Sequence, residues 1–255
     1  MISAAGGGTR ETRRRPAVLS WSTGKDSAFA LHQVREAGTW DVIRLLTTVE
    51  SRTGRVATHG IRGTLLTQQG ASVGIPLTRV ALPRTPSNAV YEEAMASALE
   101  PFREQGVRHV IFGDLFLADI RAYRERQMGT LGMECVFPLW GMDTGQLSRQ
   151  MIGSGLEARV VSVDRRRLPR SAVGRRFDAA FLRDLPPTVD PCGENGEFHT
   201  FVTAGPMLQR RIPVKLGPVE ERNGFAAIDL FPAGKGSAHT RRPPVTRPRP
   251  HRRKA

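Results

Sequence analysis

Residues 17–38 read AVLSWSTGKDSAFALHQVREAG, and three patterns meet in them. AVLSW (17–21) is a short apolar run of the kind carried by a strand buried on both faces. SAFALHQVREAG (27–38) spaces Ala28, Leu31 and Val34 at helical intervals and stops at a glycine. Between them, WSTGKDS (21–27) is a turn of small residues with one lysine. Short side chains and Gly24 let backbone N–H groups approach an anion, the following helix aims its positive end at the same place, and Lys25 adds a compact charge. Phosphate binding is the chemistry that follows; a plain helix N-cap is the other reading of such a turn. A Walker A loop is excluded, because it needs Gly at 19 and Ser or Thr at 26, where this chain has Leu and Asp. A GxGxxG dinucleotide fingerprint is absent from the turn.

Outward from this unit the same alternation repeats. VIRLLTTV (42–49), PLTRVALP (76–83) and HVIFGD (109–114) read as strands. Helices are expected over 59–74, over 87–106 with Ser87 as N-cap, and over about 118–131. CVFPLW (135–140) and ARVVSVD (158–164) read as further strands around a helix near 144–154. Such repetition predicts an α/β fold, a Rossmann-like parallel sheet with helices on both faces. Beyond Asp164 the rhythm changes. An amphipathic helix is expected over 174–185, then a stretch dense in Pro, Gly and acid, then short strands at HTFVTAG and GFAAIDLF, together a smaller α+β lobe. The expected division is a basic arm at 1–15, an α/β domain at 16–165, a smaller lobe at 166–234 and a basic tail at 235–255. Ligand crevices of open α/β sheets lie at the carboxyl ends of the strands, so the loops after Trp21, Val49 and Asp114 should share one cleft.

The net charge of +14 is concentrated at the ends. Eight Lys or Arg and no acid lie between Lys235 and Ala255, and four Arg with one Glu lie before Pro16, so the segment between is nearly balanced. Pro-Arg repetition buries little apolar area, and both arms are expected to be disordered, the tail acting mainly as a solubilising segment with weak polyanion binding as its specific alternative. Cys135 and Cys192 form no CxxC pair, which argues against a disulfide framework or a Cys-rich metal site and for a reducing, cytoplasmic setting. No run approaches the roughly 20 apolar residues of a membrane span, so a soluble protein is expected. Of 38 basic residues only four are Lys, and Lys25 is the sole one in the first 214 positions. A lysine is slimmer than an arginine and acts on phosphate as a point charge.

WSTGKDS resembles the PP-loop, the SGGxDS signature of ATP pyrophosphatases, which cleave ATP between the α and β phosphates. Thr23 replaces the usual glycine, a departure expected to be tolerated although a β-branched residue restricts the backbone there. HGIRGTLLTQQGASVGIPL (59–77), GDLFLADIRAYRE (113–125), FPLWGMDT (137–144) and DPCGENGEFHTFV (190–202) follow in order. Together, over roughly Pro16 to Pro206, they resemble the diphthine-ammonia ligase family, whose type reaction amidates diphthine on elongation factor 2. The wording resembles that of the short bacterial branch, and the extra C-terminal domains of longer eukaryotic members are not expected. Bacteria as a group are not known to make diphthamide, so the chemistry is expected to carry over while the acceptor does not.

The resemblance implies ATP and Mg²⁺ as cofactors, ATP lying over Ser22, Thr23, Gly24, Lys25, Asp26 and Ser27, with His59 either touching nucleotide or starting a helix. It sets substrate against Glu194, Asn195, Glu197 and His199, which otherwise read as a turn on Asn195-Gly196 with exposed acids. Lys25 and Asp26 are the expected catalytic pair. Asp26 beside phosphate would hold Mg²⁺, or else is a first-turn acid favoured by the helix dipole. Asp114 is a cleft residue or the next N-cap. Arg121, Tyr123 and Arg124 read as a solvated helix face, with facing an anionic substrate as their other reading; Cys192 reads as a buried structural thiol, and His32, His109, Trp40 and Trp140 as packing residues. The implied reaction is adenylation of a carboxylate, then amidation by ammonia, with ATP, ammonia and an unidentified carboxylate acceptor as partners, no membrane, and homo-oligomerisation left open. A PP-loop tRNA-modifying enzyme and a non-catalytic ATP-binding module are the alternatives.

Overall fold

The computed structural model describes residues 14–233. The expected arms lie outside them, apart from Arg14 and Arg15, and Arg15 already opens the first strand. The elements run β1 (Arg15–Ser20), α1 (Lys25–Ala37), β2 (Trp40–Glu50), α2 (Gly63–Val73), β3 (Leu77–Leu82), α3 (Asn88–Glu104), β4 (His109–Ile111), α4 (Ala118–Thr130), β5 (Glu134–Val136) and α5 (Thr144–Gly153). They continue with β6 (Glu157–Asp164), a 3₁₀ turn at Arg170–Ala172, α6 (Ala179–Arg183), β7 (Phe198–Ala204), β8 (Val214–Arg222) and β9 (Phe225–Pro232).

Strands β1 to β5 form one parallel sheet in the order β3-β2-β1-β4-β5. The chain leaves β1 in one direction for β2 and β3 and returns to its other side for β4, so the switch point lies between β1 and β4, where the loops after those strands flank a crevice. Ala17, Val18 and Leu19 are fully buried because both faces are covered. Ala17 and Leu19 join a core with α1, α2 and the second sheet, whereas Val18 points into a separate one with Met95, Leu99 and Phe102 of α3 and Met128 of α4. Ser87 caps α3, its side chain accepting from the Val90 amide, and Gly38 ends α1 in the left-handed conformation at φ 65°.

The second sheet is antiparallel, in the order β7-β6-β9-β8. The strand expected to extend the parallel sheet, β6, is instead central here and pairs antiparallel with β7 and β9. The apolar pattern of a strand after a helix is the same in either sheet; only long-range pairing decides between them. The helix expected over 174–185 is reduced to Ala179–Arg183, with the Asp178 side chain accepting from the Phe181 amide. Residues 174–177 run along β6 instead, through Gly174 N–H to Val160 O, Val160 N–H to Arg175 O and Phe177 N–H to Ala158 O. Strand β8 was not expected from the sequence. The helix expected from His59 starts at Gly63, leaving His59 in a loop. No helix among the described residues is long and apolar enough to cross a membrane.

Candidate active site

The turn after β1 is braced from within. The Ser22 amide donates to Ser27 Oγ at 3.2 Å, the Gly24 amide to Ser22 Oγ at 3.3 Å, and Ser27 Oγ to Gly24 O at 3.2 Å. It is also tied to β7: Val202 N–H donates to Thr23 O and the Lys25 amide to Thr200 Oγ1, both at 3.1 Å. Thr23 is fully buried with φ at 73°, in the left-handed region, and its hydroxyl has no hydrogen-bond partner among the described residues. Gly24 is held in by its neighbours, since a Cβ there would lie 2.8 Å from His59 Cε1 and 3.3 Å from Thr200 O. No side chain caps α1 at Gly24, and with the Lys25 amide taken by Thr200 it is the amides of Asp26 and Ser27 that are left to face an anion.

Lys25 and Asp26 form one unit. Lys25 Nζ donates to both Asp26 oxygens at 2.8 and 2.9 Å and lies over the rings of Phe198 and Phe177 at 5.4 and 5.7 Å. Burial pulls the Lys25 ammonium down, but Asp26, with Cys192 and Glu194 nearby, more than reverses this and the net shift is upward. Burial pushes the Asp26 carboxyl up, against the pull of Lys25. From the far side of the switch point, Gly113 packs on this turn. A Cβ there would meet Asp26 C at 2.8 Å and Ser27 N at 2.9 Å, so only glycine permits the approach. Asp114 follows and pairs with Arg124 Nε at 2.8 Å, while the Arg124 guanidinium stacks on Phe112 at 4.4 Å.

The second lobe closes the site. Glu194 Oε1 accepts the Leu115 amide at 2.7 Å, and burial, with the Asp26 carboxylate nearby, raises its pKa to about 7 despite that bond. A cavity of about 250 Å³ is lined by Ser22, Lys25, Asp26, Ser27, His59, Asp114, Glu194 and His199, with Arg124 and Thr200. Residues from the first and last quarters of the chain thus meet at the carboxyl edge of the parallel sheet.

Against known families, residues 14–135 match the diphthamide synthase N-terminal domain and residues 143–230 the diphthamide synthase C-terminal domain. The chain belongs to the diphthamide synthase family. It is therefore a member of the PP-loop ATP pyrophosphatase group, which uses ATP. A comparison with curated proteins returns no match.

Within this diphthamide synthase fold the expected site residues divide. Asn195 and Glu197 stand apart from the cavity lining. Glu197 is buried, its Oε1 accepting the Asp190 amide at 3.1 Å and Asn195 Nδ2 at 3.2 Å, so it holds the 190–197 loop in shape. Thr23 contributes its backbone carbonyl to the scaffold. His59 and His199 face each other with ring centroids 4.8 Å apart. Burial and the charge of Lys25 lower His199 to about 4, and burial, His199 and Lys25 take His59 well below its usual range, so both imidazoles are neutral at neutral pH. Burial pushes the Cys192 thiol to about 12, and its Sγ lies 3.4 Å from Thr144 O, the environment of a structural cysteine.

Arg124, for which a solvated face was the preferred reading and an anionic substrate the other, is a cavity residue; its i+10 relation to Asp114 carries no periodic signal. Thr200 and Gly113 were also not anticipated, although a glycine directly before Asp114 at a strand end was the available hint. Arg121 does lie outward, stacked on Trp140 and Phe137 and paired with Glu125. Among the described residues no three prospective ligands form a preassembled metal cluster. A magnesium ion carried by a nucleotide needs only one or two protein carboxylates, because phosphate oxygens and water complete its octahedron. Asp26, on the cavity wall with 28% of its side chain exposed, fits that requirement.

Proposed function

We propose that this diphthamide synthase family member is an AMP-forming ligase that adenylates a carboxylate with ATP and amidates it with ammonia. The observation carrying this reading is the meeting, in one cavity, of the Lys25–Asp26 unit at the α1 N-terminus with a Glu194 carboxyl poised near pH 7. In the first step a carboxylate oxygen bonds to the α phosphorus, the bond to the bridging oxygen breaks, and pyrophosphate leaves with the electron pair. Charge grows on the departing group, so the Lys25 ammonium and the Asp26 and Ser27 amides at the start of α1 stabilise the transition state more than the ground state. Asp26 orients Lys25 and would hold Mg²⁺, which supplies further neutralisation of the phosphates.

In the second step ammonia attacks the acyl carbon and AMP leaves. The attacking nitrogen must lose a proton, and Glu194, half ionised near pH 7, takes it. Neutral His59 and His199 line the site without adding charge that would compete for phosphate. Incubation with α-labelled ATP, Mg²⁺, ammonium and a metabolite extract should yield labelled AMP. Lys25→Ala should lose at least a hundredfold of that turnover while keeping the wild-type circular dichroism spectrum. ADP as the sole product, or full AMP formation by the variant, would overturn the reading.

A further inference from the structure

A second, larger cleft of about 790 Å³ opens beside the nucleotide cavity, and His59 lines both. Its walls come from the loops after β2 and β3, at the same carboxyl edge of the parallel sheet, and from the β8–β9 hairpin of the second lobe. Each wall contributes an arginine: Arg52, Arg84 and Arg222. Among the described residues none of the three makes a salt bridge or a side-chain hydrogen bond, although most of the other described arginines do one or the other. Asp229 also lines the cleft but is neutralised by Arg55 and Arg62, whose guanidiniums bond both of its oxygens. Glu50 and Glu220 complete the charged lining, and Glu50 accepts the Thr53 hydroxyl. Three unpaired guanidiniums thus outnumber two carboxylates in a cleft of small-molecule size.

We propose that this cleft binds the acceptor, and that the acceptor is a small polycarboxylate, anchored on Arg52, Arg84 and Arg222 through acidic groups that do not react while the reacting carboxylate extends past His59 toward the nucleotide. Guanidinium forks from three separate elements fix a carboxylate ligand in orientation as well as position. This inference rests on the ligase reading for the identity of the ligand as acceptor, but its test does not depend on turnover.

Tricarballylate, citrate, glutarate, acetate and a hexaglutamate peptide would be titrated calorimetrically into the full chain at low ionic strength without Mg²⁺, with ATP binding measured separately. At least one small di- or tricarboxylate should bind with Kd below 1 mM, acetate should not, and the double variant Arg84→Gln/Arg222→Gln should weaken that binding tenfold or more. The same variant should change ATP affinity less than twofold, since neither arginine reaches the nucleotide cavity. No saturable binding of any small polycarboxylate, or binding that the double variant leaves intact, as capture by the basic tail would be, overturns the proposal. Binding of the hexaglutamate peptide alone also overturns it, in favour of an acidic protein segment. If polycarboxylate binding holds while wild-type protein makes no AMP, the ligase reading fails and the anion site stands.

Discussion

Thr23 carries the main local strain of the site. A buried β-branched residue at φ 73° costs about 1–3 kcal/mol, and its hydroxyl is unpaired as well. Glycine removes both penalties but loses more backbone entropy on folding, by about 0.5–1 kcal/mol. Thr23→Gly should therefore stabilise the protein by about 1 kcal/mol, a rise in Tm of about 2–4 °C by calorimetry; a lowered Tm would show that methyl packing outweighs the strain. Glu194 carries the other residue-scale consequence. With its carboxyl raised to about 7, ammonia-dependent turnover should rise with pH along a limb centred near that value, and Glu194→Gln should abolish the limb. The stability sign runs the other way. The unfolded carboxyl ionises in the usual range and the folded one near 7, so the folded state binds more protons between the two, and stability falls as pH rises through that window. Glu194→Gln should accordingly have a higher Tm than wild type at pH 8, where the buried charge is largely formed.

At the scale of elements, the loop between β2 and α2 carries Arg52 and His59 and is fastened to β9 by Asp229, which holds Arg55 and Arg62 together. Burial pushes the Asp229 carboxyl up, but the hydrogen bonds from both guanidiniums bring it below its usual range. The stabilisation is present above the ordinary carboxylate range and lost as pH falls through the lowered value. Asp229→Ala should cost about 1 kcal/mol, since the group is only partly buried, and should raise hydrogen exchange at residues 53–62 without changing exchange in α3 or α4. Uniform exchange increases would deny the loop this anchor. The elements of the first sheet were legible in the sequence because each β–α unit announces itself locally, by an apolar run, a turn and a 3.6-residue period. The partner of β6 was not, since its apolar residues suit either sheet, and β8, with its exposed and charged positions, offers no alternating pattern. In the site, Lys25, Asp26 and Ser27 were legible from one contiguous motif. Thr200 was not, and Arg124 only as the less favoured of two readings, because their proximity depends on how distant segments pack, and the inward turn of Glu197 within GENGE is likewise set by its bond to the Asp190 amide.

For the whole molecule, the question is whether the two sheets behave as one body, because the active site is built from both. Gln69 on α2 is fully buried and decides much of this: its Oε1 accepts the Trp21 indole N–H at 2.8 Å, and its Nε2 donates to Thr23 O at 3.0 Å and to Val202 O at 2.8 Å. One side chain thus joins the end of β1, the 21–27 turn and β7, beside a core in which Leu19 of β1 and Val160 and Phe201 of the second sheet belong to the same cluster. A shared apolar core with buried polar ties across it favours a single cooperative transition. Gln69→Leu keeps the volume but leaves the Trp21 N–H without its acceptor and the Val202 carbonyl without this donor, a loss of about 2–3 kcal/mol. Calorimetry should show one transition in the wild type and one in the variant, with Tm lower by about 5–10 °C. Two resolved transitions in the variant would mean that the lobes fold separately and that Gln69 alone couples them. In that event, if ATP binds at the 21–27 turn as proposed, its affinity should fall at temperatures where the second lobe has melted, and the turn would owe its shape to Thr200 and Val202 of β7 rather than to its own sequence.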